Sequence, residues 1–350
     1  MDPFSQLLRP FSFVFGTGVK VRNYLYDRRF FHQFPSPVPT ISVGNISLGG
    51  TGKTPTSEYI LRFYSRKGLQ LGYLSRGYGR KSKGYYLVSN AEGDSNRFGD
   101  EALQVAHKFP EVKVAVCEDR RTGIERLVKE EGVELIVLDD AFQHRKVSRD
   151  LDIVLIDANR LPINDYILPT GRLRESLDSL KRSQLIIVNK VKSRHNIPAI
   201  EEALSSYNEQ IAFSKPVLGE MVPSASSPNL EVPPLKNLPV LLFSGIGNNT
   251  YFQYQVVGAE AQVLQTLYFR DHHPYSEADL QKIVKEAQNL SQKSPNLGPI
   301  WILTTEKDYF RLRGMSKILT AYTYFGYLPI RLHWIKGQSM VHSHLENLIK

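Results

Sequence analysis

Residues 47–54, Ser-Leu-Gly-Gly-Thr-Gly-Lys-Thr, set three glycines, a lysine and a threonine just after the apolar run Ile41-Ser42-Val43. Glycines let successive backbone N–H groups turn inward around an anion, and a helix starting near Lys53 adds the positive end of its dipole. In such a loop Gly49, Gly50, Thr51 and Gly52 cradle phosphates. Lys53 reaches the outer phosphates, and the Thr54 hydroxyl holds Mg²⁺. The usual pattern has glycine where Ser47 stands. The alternative is a Gly-rich strand-to-helix turn with no ligand.

Four further groups of residues carry chemical potential. Val137-Leu138-Asp139-Asp140 is an apolar strand ending in two carboxylates, and acids so placed downstream of a phosphate loop hold Mg²⁺. Gln143 and His144 follow within a turn. Gly99-Asp100-Glu101 opens an expected helix to Lys108, where Asp100 is either the N-cap or a general base or metal neighbour. Asp271-His272-His273 lacks the cysteines or i,i+4 histidines of a transition-metal site. It reads either as an Asp–His pair orienting a proton acceptor or as a plain surface loop. Finally, the arginine loops Ser75-Arg76-Gly77-Tyr78-Gly79-Arg80 and Gly171-Arg172-Leu173-Arg174-Glu175 suit two-point anion contacts, with Asp119-Arg120-Arg121 a third cluster.

Positioning these groups requires a sheet. Leu71–Ser75, Val112–Cys117, Glu134–Leu138, Asp152–Ile156 and Leu185–Val188 are apolar on both faces and spaced for crossover helices. That pattern predicts an α/β, P-loop NTPase-like, doubly wound and mainly parallel sheet over residues 32–215. Prolines and serines gather in Phe213–Asn237 as a linker or β-ribbon. Val240–Ser244 and Trp301–Thr304 then announce a second, smaller α/β domain over 216–350. Residues 1–31 read as an amphipathic helix, with Leu7, Phe11, Val14, Val21 and Leu25 at helical spacing among Arg9, Lys20, Arg22, Arg28 and Arg29. Either a membrane interface or the domain core could take its apolar face. Pro10 and Gly18 weigh against an unbroken helix.

Composition narrows the partners. A chain of 350 residues, 41% hydrophobic and 23% charged, is that of a folded globular protein. Cys117 stands alone, so no intrachain disulfide forms. No secretory signal or membrane span is evident, and the chain is expected in the cytoplasm. The net charge of +9 favours an anionic partner. No arginine block with interleaved aromatics points to nucleic acid.

Together these segments resemble the tetraacyldisaccharide 4'-kinase family, the lipid A 4'-kinases of Gram-negative bacteria. The likeness rests on Gly44-Asn45 leading into Gly49-Gly50-Thr51-Gly52-Lys53-Thr54-Pro55, on residues 75–80, 99–101 and 139–144, and on Leu173-Arg174-Glu175, Asp271-His272-His273 and Thr305-Glu306-Lys307-Asp308. Ala141 and Ala102 depart from the family's usual Gly and Pro. The resemblance implies transfer of the ATP γ-phosphate to the 4'-hydroxyl of an acylated glucosamine disaccharide 1-phosphate. It implies ATP and Mg²⁺ as cofactors, no nucleic acid partner, a monomeric chain, and peripheral attachment to the cytoplasmic face of the inner membrane. It also implies that Asp100 is the base and His272 its orienting partner, and that Thr54, Glu101 and Asp139, with Asp140 close by, serve Mg²⁺. Tyr78, Arg174 and Glu175 match positions of the nucleotide or catalytic cleft. A regulatory P-loop NTPase or metallochaperone-type switch is the competing reading, because Asn189-Lys190 and residues 305–308 faintly echo guanine-reading motifs.

Overall fold

The expected strands lie side by side. In the computed structural model, which describes residues 7–89, 95–224, 231–312, 319 and 322–349, the first eight are β1 (Thr40–Asn45), β2 (Leu71–Ser75), β3 (Tyr86–Leu87), β4 (Lys113–Val116), β5 (Leu135–Asp139), β6 (Leu151–Asp157), β7 (Leu185–Asn189) and β8 (Ile211–Leu218). Asp2 and Pro228 fall outside the described residues. Strand β1 is central, paired in parallel with β5 on one side and β6 on the other. β2 and β4 extend the β5 side in parallel, and β3 closes that edge antiparallel. β7 and β8 extend the other side. Every residue of β1, β2, β5 and β7 is buried, which is why these runs show no polar alternation.

Helices cover both faces. Helix α1 (Arg9–Asp27) precedes the sheet, and α2 (Lys53–Ser65), α3 (Asp100–Lys108) and α4 (Arg120–Glu131) cross over between strands. Ile60, Leu61 and Tyr64 of α2 and Ala102 and Val105 of α3 join Ile41, Val43, Tyr73 and Val137 in one core. Ile124 and Leu127 of α4 pack with Leu74, Ile136 and Leu138 on the opposite face. Each Ile, Leu or Val among them contributes about 1.5–3 kcal/mol on full burial.

The second sheet contains β9 (Val222–Pro223), β10 (Pro239–Ser244), β11 (Gln262–Tyr268), β12 (Trp301–Thr305) and β13 (Phe325–Leu328). Helices α5 (Asn249–Gly258), α6 (Glu277–Lys293) and α7 (Glu306–Leu312) accompany it. The far end of the chain does not stay there. Strand β14 (Ile330–Lys336) returns to pair antiparallel with β8, and α8 (Gln338–Asn347) buries Val341 and Leu345 against the α2 side of the first core. The 216–350 segment is therefore shared between the sheets. The cause lies in β14 and α8 themselves: Trp334 meets Tyr59 of α2 edge-on, and the Tyr64 hydroxyl of α2 donates to the Leu345 carbonyl (2.6 Å). The connection is a ribbon. β8–β14 pairing passes into β13–β9 pairing, with Gly219 N–H donating to the Pro329 carbonyl between them.

Helix α1 runs unbroken because Pro10 occupies its first turn, where the missing N–H has no intrahelical partner to lose. Only Gly16 is buried, against Ile167; Phe11, Phe13, Val14, Val21 and Tyr24 remain exposed. The helix is held by polar contacts instead. Thr170 N–H donates to Ser12 Oγ (3.0 Å), and Asn23 Nδ2 donates to Glu175 Oε2 (2.8 Å).

A buried ionic cluster ties α2, α3 and α7. Lys108 Nζ reaches Glu58 Oε2 (2.6 Å) and Glu306 (2.9 Å), and Gln104 Nε2 donates to both carboxylates. Burial, with Glu58 adding to it and Lys108 opposing, pushes the Glu306 carboxyl up to about 7. Lys108→Met leaves two buried acids facing each other and is expected to lower unfolding free energy by roughly 3–5 kcal/mol at about pH 8. At about pH 5 the Glu306 carboxyl can take up a proton, so the loss should shrink. Urea unfolding at both pH values checks this; equal losses would show that the lysine does not serve the carboxylates.

Candidate functional site

The carboxyl ends of β1, β2, β5 and β7 converge on the 46–54 loop. Strand order reverses at β1, and ligands of open α/β sheets settle at that point. Ser47 forms an antiparallel bridge with Leu173, Leu48 N–H donates to the Arg172 carbonyl (2.8 Å), and Arg174 N–H donates to that of Ile46 (2.8 Å). Ser47 is thus in extended backbone, which explains why glycine is not needed there. Gly49 and Gly50 form the open part of the loop, with nothing within 4 Å of an added Cβ. Thr51 is buried. Its hydroxyl accepts from Asn45 Nδ2 (3.1 Å) and its carbonyl accepts from Asn189 Nδ2 (3.1 Å). Gly52 caps α2 at φ +97°, and a Cβ there would lie 2.1 Å from Asn189 Nδ2. Lys53 and Thr54 then begin α2, whose N-terminus carries no side-chain cap and leaves its N–H groups for a ligand.

Asn189 is the residue that echoed a guanine reader. Its amide is consumed as a brace for Thr51, its oxygen accepts from Ser214 Oγ (3.2 Å), and it is buried. No base-reading group remains there.

Acids line the wall opposite the loop. Asp139 ends β5, is buried, and its Oδ1 has no partner among the described residues. Burial, with Glu101 and Asp140 adding to it and Lys53 opposing, pushes its carboxyl up to about 7. Neighbouring Tyr73 is raised too, by burial first and Asp139 second. Asp140, at φ +46°, accepts from Arg174 Nη1 at 2.9 Å on both oxygens and lies 3.7 Å from Lys53 Nζ. Glu101, Asp139 and Asp140 form a crowd of like charge with one orphaned buried oxygen, which fits a divalent cation. Among the described residues no three His, Cys, Asp or Glu side chains close into a ready-made metal cage. A cation here would need oxygens from a ligand, as Mg²⁺ held by one or two carboxylates and phosphates does.

Gly99, at φ +84°, is the N-cap of α3, so Asp100 is not the cap but the first helical residue. A Cβ on Gly99 would meet the Tyr78 carbonyl at 3.1 Å, so the 75–80 and 99–101 loops pack backbone on backbone. The Tyr78 ring is 83% exposed. Across from Asp100 stands His272, with Nδ1 3.6 Å from Asp100 Oδ2. Burial, Lys307 and Arg311 push the imidazole below its ordinary value, while Asp271 and Asp100 oppose them. His273 turns away to Asp279 (3.1 Å).

Several other candidates have different work. Glu175 is fully buried and accepts from Asn23 and from Arg182, with Arg22 3.7 Å away. Its place is beneath α1 rather than in the phosphate cleft. Arg120 is buried and donates to the carbonyls of Cys117 (2.6 Å) and Asp139 (3.1 Å), bracing the acid-bearing turn. Arg80 is tied to Glu118 (2.6 Å). Gln143 Nε2 donates to the Asn45 carbonyl (2.8 Å), and His144 is pushed down to about 4 by burial, Arg120 and Arg149. Sequence reasoning missed Arg311, which contacts both Asp100 and His272. Its separation from Asp100 by 211 positions leaves no local signal.

A family model described as Tetraacyldisaccharide-1-P 4'-kinase matches residues 4–350. A tetraacyldisaccharide 4'-kinase of Chlorobium limicola is 36% identical, covering 99% of each chain. One of Parabacteroides distasonis is 37% identical over 99% of this chain and 96% of its own. A crystal structure of LpxK from Aquifex aeolicus in complex with ATP superposes with a TM-score of 0.78 at 29% identity, covering 99% of this chain and all of that one.

The raised Asp139 carboxyl has a signed consequence. Its folded value exceeds the unfolded 3.8, so the folded state binds the extra proton. Without ligand, stability should therefore fall as pH rises between 3.8 and about 7. Thermal midpoints in chelator are expected to follow that slope, and Asp139→Asn should flatten it. An unchanged slope in the variant would remove Asp139 as its source.

Proposed function

The chain belongs to the tetraacyldisaccharide-1-P 4'-kinase family, and from that premise we propose how its residues transfer phosphate from ATP to the 4'-hydroxyl of an acylated glucosamine disaccharide 1-phosphate. The observation that carries the reading is the meeting of two groups of residues across the ribbon-linked sheets. The phosphate loop with Lys53 comes from the first sheet, and Asp100 faces His272 from the second. A family of sugar-lipid kinases needs both an anion cradle and a proton acceptor for a weakly acidic alcohol.

Main-chain N–H groups of residues 49–54 bind the phosphates, and Lys53 offsets charge on the transferring group. Asp100 accepts the proton of the 4'-hydroxyl as its oxygen bonds to the γ-phosphorus. The bond to the β-phosphate oxygen breaks, and ADP departs. Thr54, Asp139, Asp140 and Glu101 would hold Mg²⁺, which when bound neutralises phosphate charge. The orphaned Asp139 oxygen and the raised Asp139 carboxyl support that assignment. Arg174 steadies Asp140, and the exposed Tyr78 would meet the nucleotide.

The lipid acceptor calls for a membrane-facing surface, and we assign it to α1. No helix of the described residues is long and apolar enough to cross a bilayer. Yet α1 presents Phe11, Phe13 and Val14 at 65%, 76% and 70% exposure, with Phe30 and Phe31 beyond it. An apolar face rimmed by Arg9, Lys20, Arg22 and Arg28 suits an anionic lipid interface. Within α1 only Gly16 is buried and hydrogen bonds hold the helix to the body, which argues against the core-helix alternative.

With labelled ATP and the acylated disaccharide 1-phosphate, the label is expected on the sugar. Lys53→Ala and Asp100→Asn should each lower transfer by roughly 10²-fold or more with thermal midpoints kept. Near wild-type transfer by the Asp100 variant would exclude it as the base. Replacing Phe11 and Phe13 by serine should weaken partition onto anionic liposomes while leaving ATP binding intact. An unchanged partition would assign the membrane contact elsewhere.

A further inference from the structure

Thr305-Glu306-Lys307-Asp308 has no part in the chemistry above, yet α7 reaches both ends of α3. Glu306 opens α7 and holds Lys108 at the C-terminal end of α3. One turn on, Arg311 holds the N-terminal end. Its side chain is 8% exposed. Nε donates to Asp100 Oδ2 (2.8 Å), Nη1 to the Gly245 carbonyl (2.8 Å) and Asp308 Oδ1 (3.0 Å), and Nη2 faces His272 Nδ1 (3.0 Å). Asp308 is itself fixed, since its Oδ2 accepts from Gly245 N–H (3.0 Å) and Thr305 Oγ1 (2.7 Å). His272, at φ +55°, donates its N–H to the same Gly245 carbonyl (3.1 Å).

We propose that Arg311 is a positioning residue for phosphoryl transfer: its guanidinium, seated on Asp308 and Gly245 of the second unit, fixes the carboxylate plane of Asp100 and the ring of His272. The inference rests on the reading of Asp100 as the base. A carboxylate turns freely about its last torsion unless an oxygen is held. Here Oδ2 is held by Nε, while Oδ1 has no partner among the described residues and stays open to the sugar hydroxyl. Only a planar fork meets acceptors on three elements at once; an ammonium is a point charge and does not. His272 meets cations at both ring nitrogens, Arg311 at Nδ1 and Lys307 Nζ at Nε2 (3.3 Å), with Asp271 and Asp100 opposing. The imidazole is thereby kept neutral beside the base.

The test is a double-mutant cycle with a spectroscopic readout on the full chain. Arg311→Ala is expected to lower kcat roughly 10²-fold, as misplacing a reacting group does, with KM for ATP little changed. Guanidinium ion in solution should restore part of the loss. In an Asp100→Asn background, removing Arg311 should cost nothing more, because both act through one carboxylate. By NMR, His272 should titrate at higher pH in Arg311→Ala, since one of its two cations is gone. Arg311→Lys serves as the second variant where alanine leaves Asp308 unpaired and the chain unstable; it should fold but stay far below wild type. Wild-type kcat in a folded Arg311 variant overturns the proposal and leaves Asp100 standing. A full further loss in the Asp100→Asn background shows that Arg311 acts elsewhere and overturns it too. Near wild-type transfer by Asp100→Asn alone overturns the base reading, and the positioning of Asp100 with it.

Discussion

The structure is organised around a concentration of negative charge that has been taken out of water. Asp139 is buried with one oxygen unpaired among the described residues, Glu101 and Asp140 crowd it, and Lys53 and Arg120 oppose them. Desolvated like charges are costly unless something neutralises them. The protein does so in part by proton uptake at Asp139, and it spends neighbouring groups to hold the acids where they are. Arg174 donates to both carboxylate oxygens of Asp140, and Arg120 holds the Asp139 carbonyl from behind.

That constraint explains why the phosphate loop is braced from outside itself. Asn189, at the end of β7, fills the space a side chain on Gly52 would need and takes the Thr51 carbonyl. Asn45, at the end of β1, takes the Thr51 hydroxyl. Main-chain N–H groups preorganised in this way can meet developing charge without first rearranging. Helix α2 behind the loop is in turn covered by α8, the last helix of the chain, so the C-terminal segment stabilises the element that opens the phosphate site.

The sheet, the loop and the acid strand were legible because each is a local pattern: apolar runs, glycines before a lysine, carboxylates after a strand. Boundaries near 71–75 and 185–189 could be read to within a residue, since burial on both faces leaves an unbroken apolar run. What could not be read was set by distance along the chain. Asp100 looks like an N-cap in sequence, and only the φ of Gly99 gives the cap to the glycine. The return of β14 and α8 to the first sheet depends on Trp334 and Leu345 meeting α2. Arg120 and Arg174 look alike as loop arginines. Burial alone separates the brace from the residue at the cleft.

Leu173-Arg174-Glu175 shows how a short segment can connect two surfaces. Leu173 is buried and bridges Ser47, setting the phosphate loop. Arg174, on the next residue, turns to Asp140 in the acid wall. Glu175, one further, turns the opposite way to Asn23 of α1 and to Arg182. Arg174 and Glu175 thus meet partners on opposite sides, so the spacing of one residue registers the aromatic helix against the phosphate site. A displacement of α1 at Asn23 therefore either takes one donor from the buried Glu175, leaving it to Arg182, or carries Arg174 with it. This gives a physical reason for the helix that we assign to the membrane to be tied to the sheet by a charged contact, rather than by the apolar packing that its exposed phenylalanines could have supplied.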